Sequence, residues 1–214
     1  MRAIIIAGGQ AGDDEDWRRW VREGDWLIGA DGGAARALAW GLVPHLVIGD
    51  MDSLPGEART ALEAWGSQFV VHPRAKDETD LELALTHAAQ EGAHEIVVLG
   101  ALGGRLDHAL ANVLLLTLPK LEGVEVRIAS DRQEALLVRG GRETTLEGES
   151  GDLVSLLPLG GDARGVTTSG LAWPLERDTL RHGFSRGVSN EMTAPVARVA
   201  VEAGSLLVVH SWAR

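Results

Sequence analysis

"EIVVLGALGGRLDHALANVLLLTL", residues 95–118, decides the fold. Its first six residues are a short, almost wholly apolar run, and "LDHALANVLLLTL" (106–118) has helical character, with a glycine-rich turn between them. A strand apolar throughout, rather than alternating, suits a sheet covered on both faces, as parallel sheets are. The same order repeats outward from it. Strands are predicted at "RAIIIAG" (2–8), "DWLIGA" (25–30), "HLVIGD" (45–50), "SQFVVH" (67–72) and "VEVRIAS" (124–130). Helices are predicted at 13–23, 33–41, 57–66 and 79–92. Strands alternating with helices make βαβ units and a largely parallel sheet.

Near residues 120–133 the pattern changes. Helical periodicity stops, and strand-like pieces recur: "EALLVR", "DLVSLLPL", "GVTTSG", "RHGFSRG", "ARVAVEAG" and "SLLVVHS". Glycine and proline punctuate them as in an all-β sandwich or barrel. The expected architecture is α/β: a largely parallel α/β/α domain over 1–130, then a smaller all-β sandwich domain over 131–214.

Composition narrows the function. The net charge of −11 argues against a general nucleic-acid binder, which needs a basic surface. The longest apolar run, "VLLLTL" at 113–118, is far short of the ~20 residues of a membrane span, so no membrane partner is expected. With no cysteine, disulfides and thiolate metal sites are excluded. "MRAIIIAGG" lacks the layout of a secretory signal, and the expected location is cytoplasmic.

In open parallel sheets ligands gather beyond the carboxyl ends of the strands. The segments there are "DGGA" (31–34), "GDMDS" (49–53), "PRAKDETD" (73–80) and "GALGGRLDH" (100–108). They place Asp31, Asp50, Asp52, Asp77, Asp80 and Asp107 at one sheet edge. So many carboxylates together are costly unless cations neutralise them, and hard oxygen ligands favour Mg²⁺ or Ca²⁺. Strand alternation would point Asp50 and Asp52 the same way, and "HLVIGDMDS" offers no cation beyond His45. An aspartate after a strand also serves as a helix N-cap or an Asx-turn residue. One cap cannot use both Asp50 and Asp52. Thr79 and Glu82 fit a capping box, which leaves Asp80 free, although Asp80 could also simply favour the helix dipole. The pairs Gly32–Gly33 and Gly103–Gly104 allow close backbone approach ahead of a helix, and Arg105 adds a fork-shaped phosphate donor. His108 and Asn112 lie one turn apart on the helix that follows. Residues 7–9, "AGG", read as a close-approach turn.

With these segments assembled, the sequence resembles the thiamine pyrophosphokinase family. The resemblance rests on "ADGGA" (30–34), "IGDMDS" (48–53), "KDETDLELAL" (76–85) and "GALGGRLDHALAN" (100–112). It continues in "SLLPLGG" (155–161), "GVTTSGLAWPL" (165–175) and "GVSNE" (187–191). It implies an ATP- and Mg²⁺-binding catalytic domain, a thiamine-binding β-sandwich, and a homodimer with active sites between subunits. The implied reaction moves pyrophosphate from ATP to the hydroxyl of thiamine, giving thiamine diphosphate and AMP. By similarity Asp50, Asp52 and Asp80 are metal ligands. Asp31, Gly32, Gly33, Asp77, Gly103, Gly104, Arg105, His108 and Asn112 would serve ATP; Asp31, Asp77 and Asp107 would line the joint ATP and thiamine site. Thiamine would lodge near Trp173, Ser189 and Asn190. Asp80 and Asp107 are both candidates for the general base. From residue chemistry alone, Trp173 could stack on a cationic heterocycle or belong to the sandwich core, and Ser189 and Asn190 read equally as turn residues. Where the family has phenylalanine between the two aspartates in its eukaryotic members, this chain has Met51, expected to pack under the sheet edge. Two other readings use the same residues: a related pyrophosphokinase or nucleotidyltransferase acting on another alcohol, and a non-catalytic nucleotide or cation sensor.

Overall fold

Consecutive isoleucines 4, 5 and 6 are all fully buried, which only a strand with both faces covered permits. That strand is β1 (Arg2–Ile6), at the centre of the first of two units, Met1–Asp131 and Arg132–Arg214, into which the chain divides. The computed structural model describes residues 1–9, 17–130 and 132–213.

The first unit adds β2 (Trp26–Ala30), β3 (Leu46–Gly49), β4 (Gln68–Val71), β5 (Glu95–Leu99) and β6 (Glu125–Ala129). All pair in parallel, in the order β6-β5-β1-β2-β3-β4. The chain builds outward from β1 to β4 and then returns to β5 on the other side of β1. The β1/β5 boundary is therefore the point where strand order reverses, and ligands in such sheets bind at the carboxyl ends there.

Helices α1 (Gly33–Ala39), α2 (Gly56–Ala64), α3 (Asp80–Gln90) and α4 (Leu106–Leu115) alternate with the strands. On one face, Ala37 of α1 joins Ile4, Ile6, Val97 and Leu99, covered further by Trp17, Trp20 and Trp40. Ala34 of α1 and Leu62 of α2 pack on Val47 beside it. Helix α3 lies against β1, β2 and β3 and buries Leu81, Ala84, Leu85 and Ala88, as its 3.6-residue stripe predicts. Of the helix expected at 13–23, residues 13–16 lie outside those described. The described part, 17–23, opens with a 3-10 turn, Trp17–Arg19, and places Trp17 on the Trp40 ring at 6.2 Å. Helix α4 fully buries none of its residues and leaves Leu106, Leu110 and Leu114 exposed along one side. Among the described residues, no helix is long and apolar enough to cross a membrane.

The second unit is a sandwich of antiparallel strands: β7 (Gln133–Arg139), β8 (Arg142–Glu147), β9 (Leu153–Pro158), β10 (Ala163–Ser169), β11 (Asp178–Leu180), β12 (Asn190–Glu191), β13 (Val196–Val201) and β14 (Ser205–Ser211). Its layers run β12-β9-β14-β7 and β11-β10-β13-β8. Leu136, Val138, Val154, Leu156, Leu206 and Val208 of the first meet Leu146, Val166, Leu180, Ala197, Val199 and Val201 of the second. The piece "RHGFSRG" (181–187), expected as a strand, is instead two turns. Gly183 and Gly187 sit at φ +82° and +105°, away from the extended backbone of a regular strand.

Following the core-facing rows to their ends gives not apolar residues but Glu134, Asp152 and His210, all buried. His210 Nε2 lies 3.1 Å from Asp152 Oδ2 and Nδ1 lies 3.5 Å from Glu134. Asp152 also accepts the backbone N–H groups of Ala213 and Glu149. Burial alone would raise the Asp152 carboxyl, but those donors and His210 outweigh it and hold it below the usual carboxylate range.

Candidate functional site

The segments that follow β1 to β5 enclose a cleft of about 770 Å³, an ordinary size for a small-molecule site. Ala7, Gly8 and Gly9 enter it after β1, Asp31 and Gly32 after β2, and Ser53 after β3. Arg74, Lys76, Glu78, Thr79 and Asp80 follow β4, and Gly103, Gly104, Arg105, His108 and Asn112 follow β5.

Asp31 sits at the end of β2 in the left-handed region, φ +45°. A non-glycine residue held there marks a strained site that the surrounding structure fixes. Its Oδ2 accepts the Ser53 N–H at 3.1 Å, while Oδ1 is buried with no hydrogen-bond partner. Burial pushes its carboxyl above the usual range.

The pair Asp50 and Asp52 converges by a different route from the one expected. Strand β3 stops at Gly49, and Met51 turns the chain at φ +64°. A turn, not strand alternation, therefore brings the two carboxylates together, with Asp50 Oδ1 accepting the Asp52 N–H at 3.1 Å. Met51 packs against Ala34, Val47, Leu54 and Leu62, the position under the sheet edge that its apolar character predicts. Carboxylate oxygens of Asp31, Asp50 and Asp52 all lie within 4.8 Å of one another.

Asp80 opens α3, and Thr79, not Asp80, caps that helix by accepting the Glu82 N–H at 3.2 Å. The positive charges come from the preceding loop. Lys76 Nζ stands 2.9 Å from Asp50 Oδ2 and 3.1 Å from Asp80 Oδ1, although Asp80 Oδ1 has no well-directed hydrogen bond. Arg74 grips Asp52 through Nε and Nη2 at 2.9 and 2.6 Å. The Lys76 ammonium holds the Asp50 carboxyl below its usual range. Burial lowers Lys76, but the two carboxylates outweigh it and keep the ammonium above its usual range. Hard carboxylate oxygens converging from three strand ends, two of them buried without directed partners, fit a divalent cation.

The other expected residues divide. Gly32, Gly103, Gly104, Arg105, His108 and Asn112 line the cleft with Asp31, and Asn112 is braced by donating to the Ala101 carbonyl at 2.8 Å. Gly33 does not line it. A β-carbon there would fall 1.9 Å from the Ile6 carbonyl oxygen, so its close approach serves the packing of α1 on β1. Asp77 is exposed and outside the lining residues. Asp107 is exposed too, clasped by Arg105 at 2.6 and 3.1 Å. The pairing holds Asp107 below the usual carboxylate range.

In the second unit, Trp173 is 60 % exposed, so it is not sandwich core. Asn190 is buried and clamps the Trp173 backbone, accepting its N–H at 3.1 Å and donating to its carbonyl at 2.7 Å. Ser189 turns the chain at φ +60°, its N–H donated to Ser155 Oγ at 3.0 Å.

Sequence reasoning missed Lys76, Arg74, Ser53 and the cleft-lining role of Gly8 and Gly9. One signal was legible for Lys76. It is one of only two lysines against eighteen arginines in the chain, and it stands inside the quoted motif "KDETD".

Family comparison matches residues 17–128 to "Thiamin pyrophosphokinase, catalytic domain" and 143–207 to "Thiamin pyrophosphokinase, vitamin B1 binding domain". A thiamine pyrophosphokinase of Bacillus subtilis is 28% identical over 99% of both chains. Thiamine pyrophosphokinase 1 of rice is 28% identical over 73% of this chain and 62% of its own. Among solved structures, the Bacillus subtilis enzyme superposes with a TM-score of 0.89 at 26% identity over the full length of both chains. The thiamin pyrophosphokinase of Geobacillus thermodenitrificans gives 0.84 at 28%, covering 99% of this chain and 97% of its own.

Proposed function

Because the chain belongs to the thiamine pyrophosphokinase family, we propose that it transfers pyrophosphate from ATP to the hydroxyl of thiamine, releasing AMP. The observation that carries this reading is the convergence of carboxylates from three strand ends: Asp31, Asp50 and Asp52 lie within 4.8 Å of one another, Lys76 ties Asp50 to Asp80, and Asp31 and Asp80 line the cleft at the strand-order reversal. A simple cation sensor concentrates its ligands in one loop. Carboxylates spread over separate strand ends suit a metal that must also hold a polyphosphate.

Asp50, Asp52 and Asp80 would hold Mg²⁺, with Asp31 beside them. When bound, the ion neutralises phosphate charge and polarises the phosphate under attack. The chain's own residues do the rest. The backbone of Gly8, Gly9, Gly32, Gly103 and Gly104 leaves room for phosphates, and Arg105, His108 and Asn112 supply donors along the cleft. The thiamine oxygen attacks the β-phosphorus, the bond from that phosphorus to the oxygen bridging to the α-phosphorus breaks, and AMP leaves. The hydroxyl proton passes to a carboxylate in reach. Asp80 suits that role better than Asp107, because it faces the cleft while Asp107 is exposed on Arg105. In the second unit, Trp173 offers an exposed indole face for the thiamine ring, and Asn190 holds it in position.

We assign catalysis to residues 1–130 and thiamine binding to 131–214. The assembly proposed is a homodimer with active sites between subunits, supported by the exposed Leu106, Leu110 and Leu114 row of α4. A cysteine-free chain of this kind suits the cytoplasm.

Incubating the protein with ATP, Mg²⁺ and, in turn, thiamine, a pterin alcohol or a sugar phosphate tests the proposal. AMP release is expected with thiamine. AMP with another acceptor alone would favour a related pyrophosphokinase, and binding without turnover would favour a sensor.

A further inference from the structure

The positive charge on the carboxylate set in this structure comes from side chains, Arg74 on Asp52 and Lys76 on Asp50 and Asp80. We propose that Lys76 is an exchange cation: it occupies Asp50 and Asp80 until a divalent cation enters, then moves its charge onto the polyphosphate arriving with that cation. The inference rests on the pyrophosphokinase reading of the cleft.

Three observations carry it. Lys76 Nζ lies 2.9 Å from Asp50 and 3.1 Å from Asp80, two of the carboxylates assigned to the metal. An ion bound directly by both would need the space the ammonium fills, and two cations so close repel. Metal entry therefore requires Lys76 to leave. Second, the side chain is 11% exposed and lines the cleft that would receive the phosphates. A displaced ammonium thus stays inside that cleft, where the incoming anions are.

The third observation is compositional. This chain carries eighteen arginines and only two lysines, Lys76 and Lys120. Among the described residues, the other ion pairs formed by a lysine or arginine use arginine, including Arg74 on Asp52 and Arg105 on Asp107. At position 76 it uses the compact point charge on a flexible stem, which can contact two carboxylates and then redirect its three donors. A planar guanidinium fork prefers to stay on one carboxylate.

Mn²⁺ binding to the full, nucleotide-free protein, followed by electron paramagnetic resonance, tests the exchange without reference to turnover. Lys76→Met and Lys76→Gln should each bind Mn²⁺ several-fold more tightly than the parent, since no ammonium competes. At saturating metal their KM for ATP should rise about tenfold, a loss of one phosphate contact. Equal or weaker Mn²⁺ binding in both variants would overturn the proposal. The unaltered protein gives an independent readout by amine acylation and peptide mass spectrometry, with Lys120 as internal reference. Lys76 should acylate slowly without metal, at least fivefold faster with Mn²⁺ alone, and slowly again with Mn²⁺ and ATP. Reactivity indifferent to Mn²⁺ would overturn it too, and this readout stands even if the variants fail to fold. If the parent makes no AMP from ATP and thiamine, the reading of the cleft fails while metal-for-lysine exchange can still be observed; the two failures are therefore distinguishable.

Discussion

A β-carbon on Gly49 would lie 2.8 Å from Asp80 Oδ1, so the last residue of β3 is a glycine because the first residue of α3 leans over it. The same added carbon would be 3.0 Å from Asp31 Cβ, and Gly49 holds φ +148°. The carboxylates of three strand ends can close on one point only across a residue without a side chain. Gly49→Ala is expected to lower kcat at least ~10²-fold by displacing Asp80 and Asp31. Its stability cost should stay near 1–3 kcal/mol. Steady-state kinetics alongside thermal melting checks this, and a variant with near-parental kcat would contradict it.

The two candidate bases differ in expected effect. Asp80→Asn should lower kcat by at least roughly 10²-fold, through loss of the proton acceptor and of a metal ligand together. Asp107→Asn, which removes an exposed pair with Arg105, should change kcat less than about tenfold. The reverse order, measured at saturating Mg²⁺, ATP and thiamine, would move the proton acceptor to Asp107.

Asn190 is held to its task by both edges of its amide on Trp173. Asn190→Ala should release the Trp173 backbone and raise the KM for thiamine about tenfold, the loss of one to two buried hydrogen bonds, with little change in the KM for ATP. Thiamine fluorescence titration and initial rates distinguish the substrates. An unchanged thiamine KM would remove Trp173 from the thiamine site.

Much of this was readable in the chain. Consecutive buried isoleucines and the Thr79–Glu82 cap announce a covered strand and a helix start through local rules. Strand β8, "RETTLE", escaped notice because it is a sheet-edge strand on which only Leu146 is fully buried. "RHGFSRG" misled because its one large apolar residue, Phe184, is 64 % exposed. In the site, carboxylates were legible from their places after strands, while their partners were not. Lys76 meets Asp50 only because the loop after β4 folds back over the turn after β3, a closeness that no local pattern encodes.

The depressed Asp152 carboxyl gives the sandwich a defined acid response. A folded-state value below the unfolded one means its contribution is present above the unfolded pKa of about 3.9 and is lost as pH falls through the lower folded value. Asp152→Ala should destabilise the protein by roughly 3 kcal/mol at pH 7, because it leaves His210 and two N–H groups without their acceptor. Urea unfolding should show that gap narrowing below about pH 4. A gap independent of pH would mean the carboxylate charge contributes nothing.

The central claim is transfer of pyrophosphate, not of one phosphate, to thiamine. ATP labelled with ³²P at the β-phosphorus, incubated with the protein, Mg²⁺ and thiamine, tests it most directly. The label should move into thiamine diphosphate in equal amount to the unlabelled AMP released. Label retained in ADP, with thiamine monophosphate as product, would contradict it.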